Sequence, residues 1–538
     1  MGSIDLVLRL LLLAAKAARD GVMDGRLKKL KWNSFLAIGY QLLVIISGFV
    51  LPRFYLHFYG SEINGLINSI TQFLAFINIC DLGIGAVVSS ALYKPLAERD
   101  MLGVSRIFVY AKKFFRIVSF ILIGYVIALT VVFPFMSKPL IASGVMDVWS
   151  IVFLVLAMSI SQFGQYFIGI NYQILLNADQ RSYVQLATNG ITLLLNTVIS
   201  VLLMWLGLEV WVVRLVASLI YLARPLALWL YARKKYQIDH KIKPEKGVLP
   251  QQWNGIIQHL AYMVNENTDV MILSIFSGFA NVSVYSVYVM VVGAIKTLIT
   301  SATTGVQALF GNMIAKGEKE GLQKAYDLYE WGIHTVSVLL FTVAGILIVP
   351  FVSVYTKGLT DADYTVPLFA ILITVAFALN CLRNNMYTVI RAAGHYKQTQ
   401  WAAITEACIN LTVSIALVYW FGLVGVAIGT LASALFFTTF EMVYLSKHIL
   451  HRKPKAFIFQ VLIDVLSVGV MIASTFWLQL YKTTYLWWIV LALIVFAICA
   501  VECLLVQLIF KRKQLKAVVS AVLHKFKKKK QVNEDPQV

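Results

Sequence analysis

The chain has 538 residues, of which 59% are hydrophobic and 13% charged, and its mean hydropathy is +0.78. A soluble protein is about one-quarter charged, so too little polar surface remains here to coat a water-soluble particle, and intrinsic disorder fails on the same ground. The excess of 46 Lys+Arg over 26 Asp+Glu would suggest nucleic acid in a soluble chain, but here the basic residues sit in short segments between apolar runs. No zinc-finger or other nucleic-acid motif accompanies them, and a membrane surface accounts for them instead. The expected fold is therefore all-α: a polytopic membrane protein with no nucleic-acid partner.

Residues 1–33 come first and contain the apolar run Leu6–Ala15, flanked by Asp5, Lys16, Arg19 and Asp20. The run is too short to span and lacks the basic start and cleavage site of a signal peptide. It suits an interfacial amphipathic helix on the cytoplasmic side. Leu6 stands where a myristoylated Gly2 would need Ser or Thr, which argues against that lipid. A bilayer core takes about 20 apolar residues per helix. Runs of that kind predict fourteen spans, near 34–56, 63–91, 115–136, 149–177, 183–206, 210–232, 253–277, 281–311, 331–355, 365–390, 399–421, 424–446, 457–480 and 485–510. They divide into a first lobe of six spans (34–234), a cytoplasmic linker (235–252) with Lys241, Lys243, Pro244 and Pro250, a second lobe of six (253–450), two further spans (451–511) and a tail (512–538). Lys525, Lys527, Lys528, Lys529 and Lys530 of the tail suit anionic lipid headgroups.

The basic residues test the count. With both termini cytoplasmic, all but eight of the 46 fall in the inside segments. The outside loops hold only Arg53, Lys138, Lys357 and Lys482, and Arg214, Arg224, Lys296 and Arg383 lie within spans. One missing helix would invert every later loop and destroy this asymmetry. Chemistry-bearing motifs are absent. The five cysteines, Cys80, Cys381, Cys408, Cys499 and Cys503, fall in apolar runs with no disulfide or metal spacing. No HExxH, Walker A, GxSxG or dinucleotide GxGxxG pattern occurs. No metal, cofactor or enzymatic site is expected.

An internal repeat appears at a shift of 215 residues. Residues 172–218 and 387–433 share Tyr172/Tyr387, Gln185/Gln400, Thr197/Thr412, Trp205/Trp420, Gly207/Gly422 and Leu208/Leu423, among others. The shared W-x-G-L exceeds what aliphatic composition alone produces. Six spans per half is an even number, so both halves enter the membrane from the same side, and such parallel repeats place the ligand near their interface in alternating-access transporters.

Ionisable residues inside spans face a cavity or a partner. Arg224, Lys296 and Arg383 are candidates to line a wet, anion-attracting cavity, the alternative being structural ion pairs; Arg214 is close enough to the outer edge to snorkel. The acids are Asp81, Glu266, Asp269, Glu406, Glu441, Asp464 and Glu502. Asn265–Asp269 forms a polar run at mid-span, with Glu266 and Asp269 on one helical face. Asn380, Arg383, Asn384 and Asn385 crowd one turn, a combination suited to phosphate and sugar hydroxyls, or else to helix–helix hydrogen bonds. Asn267, Asn384 and Asn385 thus join the three cations as substrate-binding candidates.

The runs Phe58–Leu66, Asp81–Gly85, Leu92–Ala97, Asn267–Asp269 and Val284–Tyr288 together resemble the bacterial oligosaccharide flippases (Wzx-type polysaccharide biosynthesis proteins) of the multidrug/oligosaccharidyl-lipid/polysaccharide exporter superfamily. The resemblance implies a bacterial inner-membrane protein that turns an undecaprenyl-pyrophosphate-linked oligosaccharide from the cytoplasmic to the outer leaflet for cell-surface polysaccharide synthesis, working beside a polysaccharide polymerase and glycosyltransferases. Resemblance to the lipid II flippases implies that the last two spans form a groove for the lipid tail. No nucleotide site exists, so a Na+ or H+ gradient, or consumption of the product, would drive the cycle. Asp81, Glu266, Asp269 and Glu406 are the candidate coupling carboxylates. The alternatives are a multidrug and toxin extruder of the same superfamily, which would favour an acidic cavity and commonly a carboxylate in the first span, where Ser34–Leu56 has none, and a membrane polysaccharide polymerase, for which the outside loops are short.

Overall fold

The computed structural model describes residues 24–81, 84–242, 256–303, 306–453, 455–478, 482–516 and 520. The Leu6–Ala15 segment, most of the linker and the Lys525–Lys530 run lie outside the described residues. All regular structure among the described residues is helical.

Helix α1 (Asp24–Ala75) bends once, at Gly60, then tightens into a 3-10 segment (Phe76–Asp81) before α2 (Ile84–Glu98). Gly60 has φ +81°, a conformation that L side chains avoid, so the glycine permits the reversal there. Helices α3 (Met101–Met136) and the short α4 (Lys138–Ala142) follow. Next, α5 (Val148–Gly164) runs through a π turn (Gln165–Gly169) into α6 (Ile170–Ala178), and α7 (Ser182–Trp205) and α8 (Val210–Lys235) complete the first half. The second half comprises α9 (Ile256–Phe276), α10 (Phe279–Ala302), α11 (Val306–Ala315), α12 (Lys319–Tyr355), α13 (Pro367–Ala392), α14 (Tyr396–Phe421) and α15 (Leu423–His448). Helices α16 (Lys455–Thr475) and α17 (Tyr485–Phe510) end the described fold.

Among the described residues, twelve helices are long and apolar enough to cross a membrane, against fourteen expected spans. The difference has two physical sources. The first two expected spans share one continuous stretch, Phe35–Asn78, whose 44 residues amount to about 66 Å of helix, twice the thickness of a bilayer core. Helix α9 carries the polar run Asn265–Asp269, which dilutes its apolarity.

Helix lengths pair off between the halves. Helix α3 has 36 residues and α12 has 37, both longer than a bilayer requires. Their surplus turns carry the charges: Arg106, Lys112, Lys113 and Arg116 on α3, Lys319, Lys324, Asp327 and Glu330 on α12. Helix α8 ends in Arg233, Lys234 and Lys235, cations that also suit the negative end of the helix dipole. At the opposite end, the repeated Trp205 and Trp420 terminate α7 and α14 and are 75% and 71% exposed. Amphipathic rings in that position form an interfacial belt. The molecule thus has a basic end and an aromatic end.

Each half has its own core. Phe108, Phe115, Phe133 and Leu154 anchor the first, Tyr288, Phe369, Ile373 and Val426 the second. Helices α16 and α17 lean on α12, where Met471, Val495 and Cys499 pack with Val338 and Leu347. Polar bonds fix that docking: Trp331 Nε1 donates to Gln507 (2.7 Å), His334 Nδ1 meets Asp464 (2.5 Å), and Arg452 bridges Asp327 (2.8 Å) and Glu330 (2.6 Å).

The halves meet where α1 packs on α9 and α10. Gly65 is essential there, because a Cβ at this position would stand 1.7 Å from the Phe279 carbonyl oxygen. The hydrogen bonds across the seam cluster at the aromatic end. Ser61 donates from its N–H (2.6 Å) and hydroxyl (2.8 Å) to Asp361, Tyr364 shares its hydroxyl with Ser61 (2.7 Å) and Ser283 (2.9 Å), Asn64 donates to Ser283 (2.7 Å), and Ser69 meets Ser274 (2.6 Å). Arg53 donates to the Lys357 carbonyl (3.0 Å) and Tyr355 to that of Phe49 (2.7 Å). This clasp closes the aromatic end.

Candidate functional site

The ionisable residues of the second half form one layer between α9, α10, α13, α14 and α15. Lys296 Nζ lies 2.6 Å from Glu266 Oε1, and both side chains stay partly exposed, at 26% and 37%. Phe377 lies beneath the ammonium, 5.5 Å from ring centroid to Nζ. Deeper in, Arg383 Nη1 donates to Glu406 Oε1 at 2.5 Å, the carboxylate buried and the arginine 14% exposed, and its guanidinium covers the Phe437 ring at 4.7 Å. Asn265 also donates to Glu406 (3.4 Å). Glu441 of α15, 1% exposed, faces the same guanidinium, and its Oε2 has no hydrogen-bond partner. Lys296 and Arg383, candidates to line an anion-attracting cavity with ion pairs as the alternative, each stand beside a carboxylate in this structure. The reason is electrostatic. A buried guanidinium or ammonium needs a counter-charge when no ligand supplies one.

A second cluster lies one helical turn from Glu266. Asp269 accepts from Tyr285 (3.0 Å) and Thr430 (2.7 Å), and Thr430 also bonds the Val426 carbonyl (3.0 Å). Asn410 donates to Thr430 at 3.4 Å. Asp269 Oδ1 and Asn410 Oδ1 are both buried without a partner. Carboxylate, amide, hydroxyl and backbone oxygens in one place are a hard-oxygen donor set, the type that accepts a small hard cation. Among the described residues no group of three or more His, Cys, Asp or Glu side chains is placed to hold a metal, and no residue here favours a soft one.

The first half is built differently. Arg224 of α8 donates through Nε to Thr192 (2.7 Å) and through Nη2 to the Asn189 carbonyl (3.4 Å), and stacks on Tyr221 at 4.0 Å. These partners are all neutral. Asn196 donates to Tyr221 (2.8 Å) and accepts from Ser200 (3.1 Å). Thr192, Asn196 and Ser200 form a buried stripe at i, i+4 and i+8 on α7, and Glu406, Asn410 and Ser414 form one at the same spacing on α14. The stripes differ in charge: threonine meets the arginine in the first half, glutamate in the second.

The remaining candidates scatter. The polar turn of α13 does not converge, because successive residues point about 100° apart around a helix. Arg383 faces Glu406, Asn384 donates to Thr303 (3.3 Å), and Asn385, fully buried, accepts from Tyr326 of α12 (3.1 Å). The single phosphate-binding turn expected of Arg383, Asn384 and Asn385 is thereby split among three neighbours. Asn267 is satisfied by the Met263 carbonyl of its own helix (2.7 Å). Asp81 closes the 3-10 segment, and its side chain lies outside the described residues. Sequence reasoning passed over Thr192, Tyr221, Tyr285, Asn410 and Thr430. Its available signal was the four-residue spacing of small polar residues on otherwise apolar helices.

The chain is a helical bundle of many apolar, membrane-length helices, clasped at one end and carrying buried charge in its second half. Solved structures share that fold. A lipid II flippase MurJ in an inward closed conformation matches with a TM-score of 0.64 at 14% identity, over 90% of this chain and 99% of that one. A multidrug resistance MATE family transporter of the MOP superfamily matches in its inward-facing conformation (TM-score 0.54, 16% identity, 76% of this chain and 94% of that one) and in its outward-facing conformation (0.51, 15%, 77% and 96%). No family model matches the sequence, and a search of curated proteins finds no match.

Proposed function

We propose that this protein is an alternating-access flippase for a lipid-linked, pyrophosphate-bearing oligosaccharide of Wzx type. Arg224 carries the proposal: it is an intramembrane guanidinium whose described partners are neutral, available to an anionic headgroup without breaking an ion pair. Lys296 and Arg383 join it when the headgroup displaces Glu266 and Glu406. Such a headgroup cannot cross hydrocarbon unaided, since its polar atoms would lose water without replacement. The basic end is cytoplasmic by the charge rule, so the clasp closes the outer side and the chain stands in an inward-facing state. The fold likeness to a lipid II flippase supports the same reading. Asp269, Asn410, Thr430 and the Val426 carbonyl are the proposed coupling-ion ligands, with Na+ the fitting ion. Partners would be the lipid-linked glycan and the enzymes that make and polymerise it in a bacterial inner membrane.

Four carboxylates, Glu266, Asp269, Glu406 and Glu441, against two cations in the second half favour a second reading, a MATE-type extruder of cationic compounds. One experiment separates the two. In a deletion strain the flippase reading expects lipid-linked glycan to accumulate on the cytoplasmic leaflet, reversed by the wild-type gene and not by Arg224→Gln inserted at the same level. Unchanged leaflet distribution together with heightened sensitivity to cationic drugs would replace it with the extruder.

A further inference from the structure

The sequence-level candidates for ion coupling did not include Glu441, yet it is the most conspicuous unsatisfied acid of the second half. It lies about 10 Å from the basic end of α15, counting 1.5 Å per residue from His448. Its side chain is 1% exposed and Oε2 has no hydrogen-bond partner. The groups facing it are Arg383 and Tyr387 from α13 and Glu406 from α14. From α9, Glu266 lies near enough to act on the same guanidinium through space and Asp269 bonds Thr430 of Glu441's own helix. Lys296 of α10 is engaged by Glu266.

Charge balance then decides the state of Glu441. Lys296 with Glu266 is neutral, and Arg383 with Glu406 is neutral. An ionised Glu441 would leave a net negative charge buried with one oxygen unsolvated, which is far more costly than burying the neutral acid. We propose that Glu441 is a proton-binding residue that governs anion binding at Arg383. Protonated, it leaves the guanidinium with one carboxylate, which an incoming phosphate-type anion displaces. Ionised, it places a second negative charge at the same cation and disfavours the anion. Linkage makes this reciprocal: a bound anion retains the proton, drawn from water as H3O+ becomes H2O, by the same factor as the proton favours the anion. This rests on the anion-binding reading of Arg383 given above.

The test uses the full-length protein in nanodiscs with inorganic pyrophosphate as the probe. Its Kd is measured from pH 5.5 to 8.5 for the wild type and for E441Q, which mimics the protonated acid and bears the same correction for pyrophosphate's own titration. The expected ratio of wild-type to E441Q Kd rises with pH, by up to about tenfold per pH unit above the Glu441 midpoint. Calorimetry in two buffers of different ionisation heat should show extra proton uptake by the wild type. A constant ratio overturns the proposal. If E441Q does not purify, the wild type still decides: a Kd that follows only the titration of free pyrophosphate overturns it. R383Q separates the layers. Pyrophosphate binding unchanged in R383Q removes the anion-binding reading itself, whereas binding lost in R383Q with a constant wild-type to E441Q ratio removes only the role of Glu441.

Discussion

The clasp at the aromatic end yields a prediction whose size follows from the coordinates. Asp361 accepts two hydrogen bonds from Ser61, at 2.6 and 2.8 Å. Bonds to a charged acceptor contribute about 1.5–3 kcal/mol when buried. Asp361 sits on an exposed loop, where screening reduces each to about 1 kcal/mol. Asp361→Ala therefore withdraws about 2 kcal/mol from the clasped state, a shift of about 30-fold in the equilibrium between clasped and open forms. Tyr364 still holds the Ser61 hydroxyl (2.7 Å), so the clasp weakens without vanishing. Gly65→Ala acts by sterics instead. Its Cβ would stand 1.7 Å from a backbone oxygen, and neither helix can relieve that without the halves moving apart. Spin labels at Glu209→Cys and Asp363→Cys, in a cysteine-free background, report the separation of the halves at this end. Pulsed-EPR distances should gain a longer component in Asp361→Ala and a larger one in Gly65→Ala. Distributions identical to the parent in both variants would refute the assignment of this seam as the contact that holds the aromatic end shut.

Arg383→Ala should cost about 3–5 kcal/mol, because it strands the Glu406 carboxylate in the interior; adding Glu406→Gln should recover much of the lost thermal stability, and a double variant no more stable than Arg383→Ala would count against the ion pair. Asp464→Ala leaves the fully buried His334 without its 2.5 Å partner and should cost about 1–3 kcal/mol, seen as a lower Tm and earlier protease cutting between α15 and α16. His240, in the segment after α8, rests on Phe108 with ring centroids 5.9 Å apart, and burial, then Lys112, hold its pKa below the ordinary value of 6.5. A depressed histidine favours the folded arrangement above its unfolded pKa and loses that contribution as pH falls through the folded one. Proteolysis near 236–242 should therefore quicken between pH 7 and 5, and His240→Gln should remove the pH dependence.

What the sequence made legible was what the membrane dictates. Apolar length marked the helices, the basic residues marked one end, and Trp205 and Trp420 tied the halves to a common register, because each of these is read by lipid and water one residue at a time. Pairing across helices is a different kind of information. Arg383, Asn384 and Asn385 are consecutive and equally polar, and nothing in their order says that they face α14, α10 and α12. The same limit left Lys296 with two readings, a cavity-lining cation or one neutralised by the acids of α9, of which Glu266 is now seen beside it. Thirty residues separate them, and an ammonium poised for a ligand and one neutralised by a neighbour have the same sequence signature. Counting apolar runs includes α9 among fourteen spans, whereas helix length and apolarity alone give twelve, in part because the polar run Asn265–Asp269 dilutes that helix.

The two buried stripes lie 214 residues apart, one residue out of step with the 215-residue repeat, yet they run alike along α7 and α14. Asparagine and serine occupy the i+4 and i+8 positions of both, and in both the asparagine donates to a hydroxyl on the next helix, Tyr221 in one half and Thr430 in the other. The leading residue differs, and with it the electrostatics. Thr192 satisfies Arg224 without cancelling its charge, while Glu406 cancels that of Arg383. An arginine held by neutral oxygens attracts an anion continuously; an arginine held by a carboxylate does so only when that carboxylate is displaced or protonated. On the flippase reading proposed above, where the seam opens and closes between the two, a permanent and a conditional anion site would give different affinities in different states. That difference is required of any ligand that shifts the equilibrium between them. Making both sites permanent, by Glu406→Thr, should therefore tighten pyrophosphate binding while slowing leaflet exchange of a fluorescent lipid pyrophosphate in liposomes, and a variant that binds no tighter or exchanges the lipid faster would exclude this division of labour.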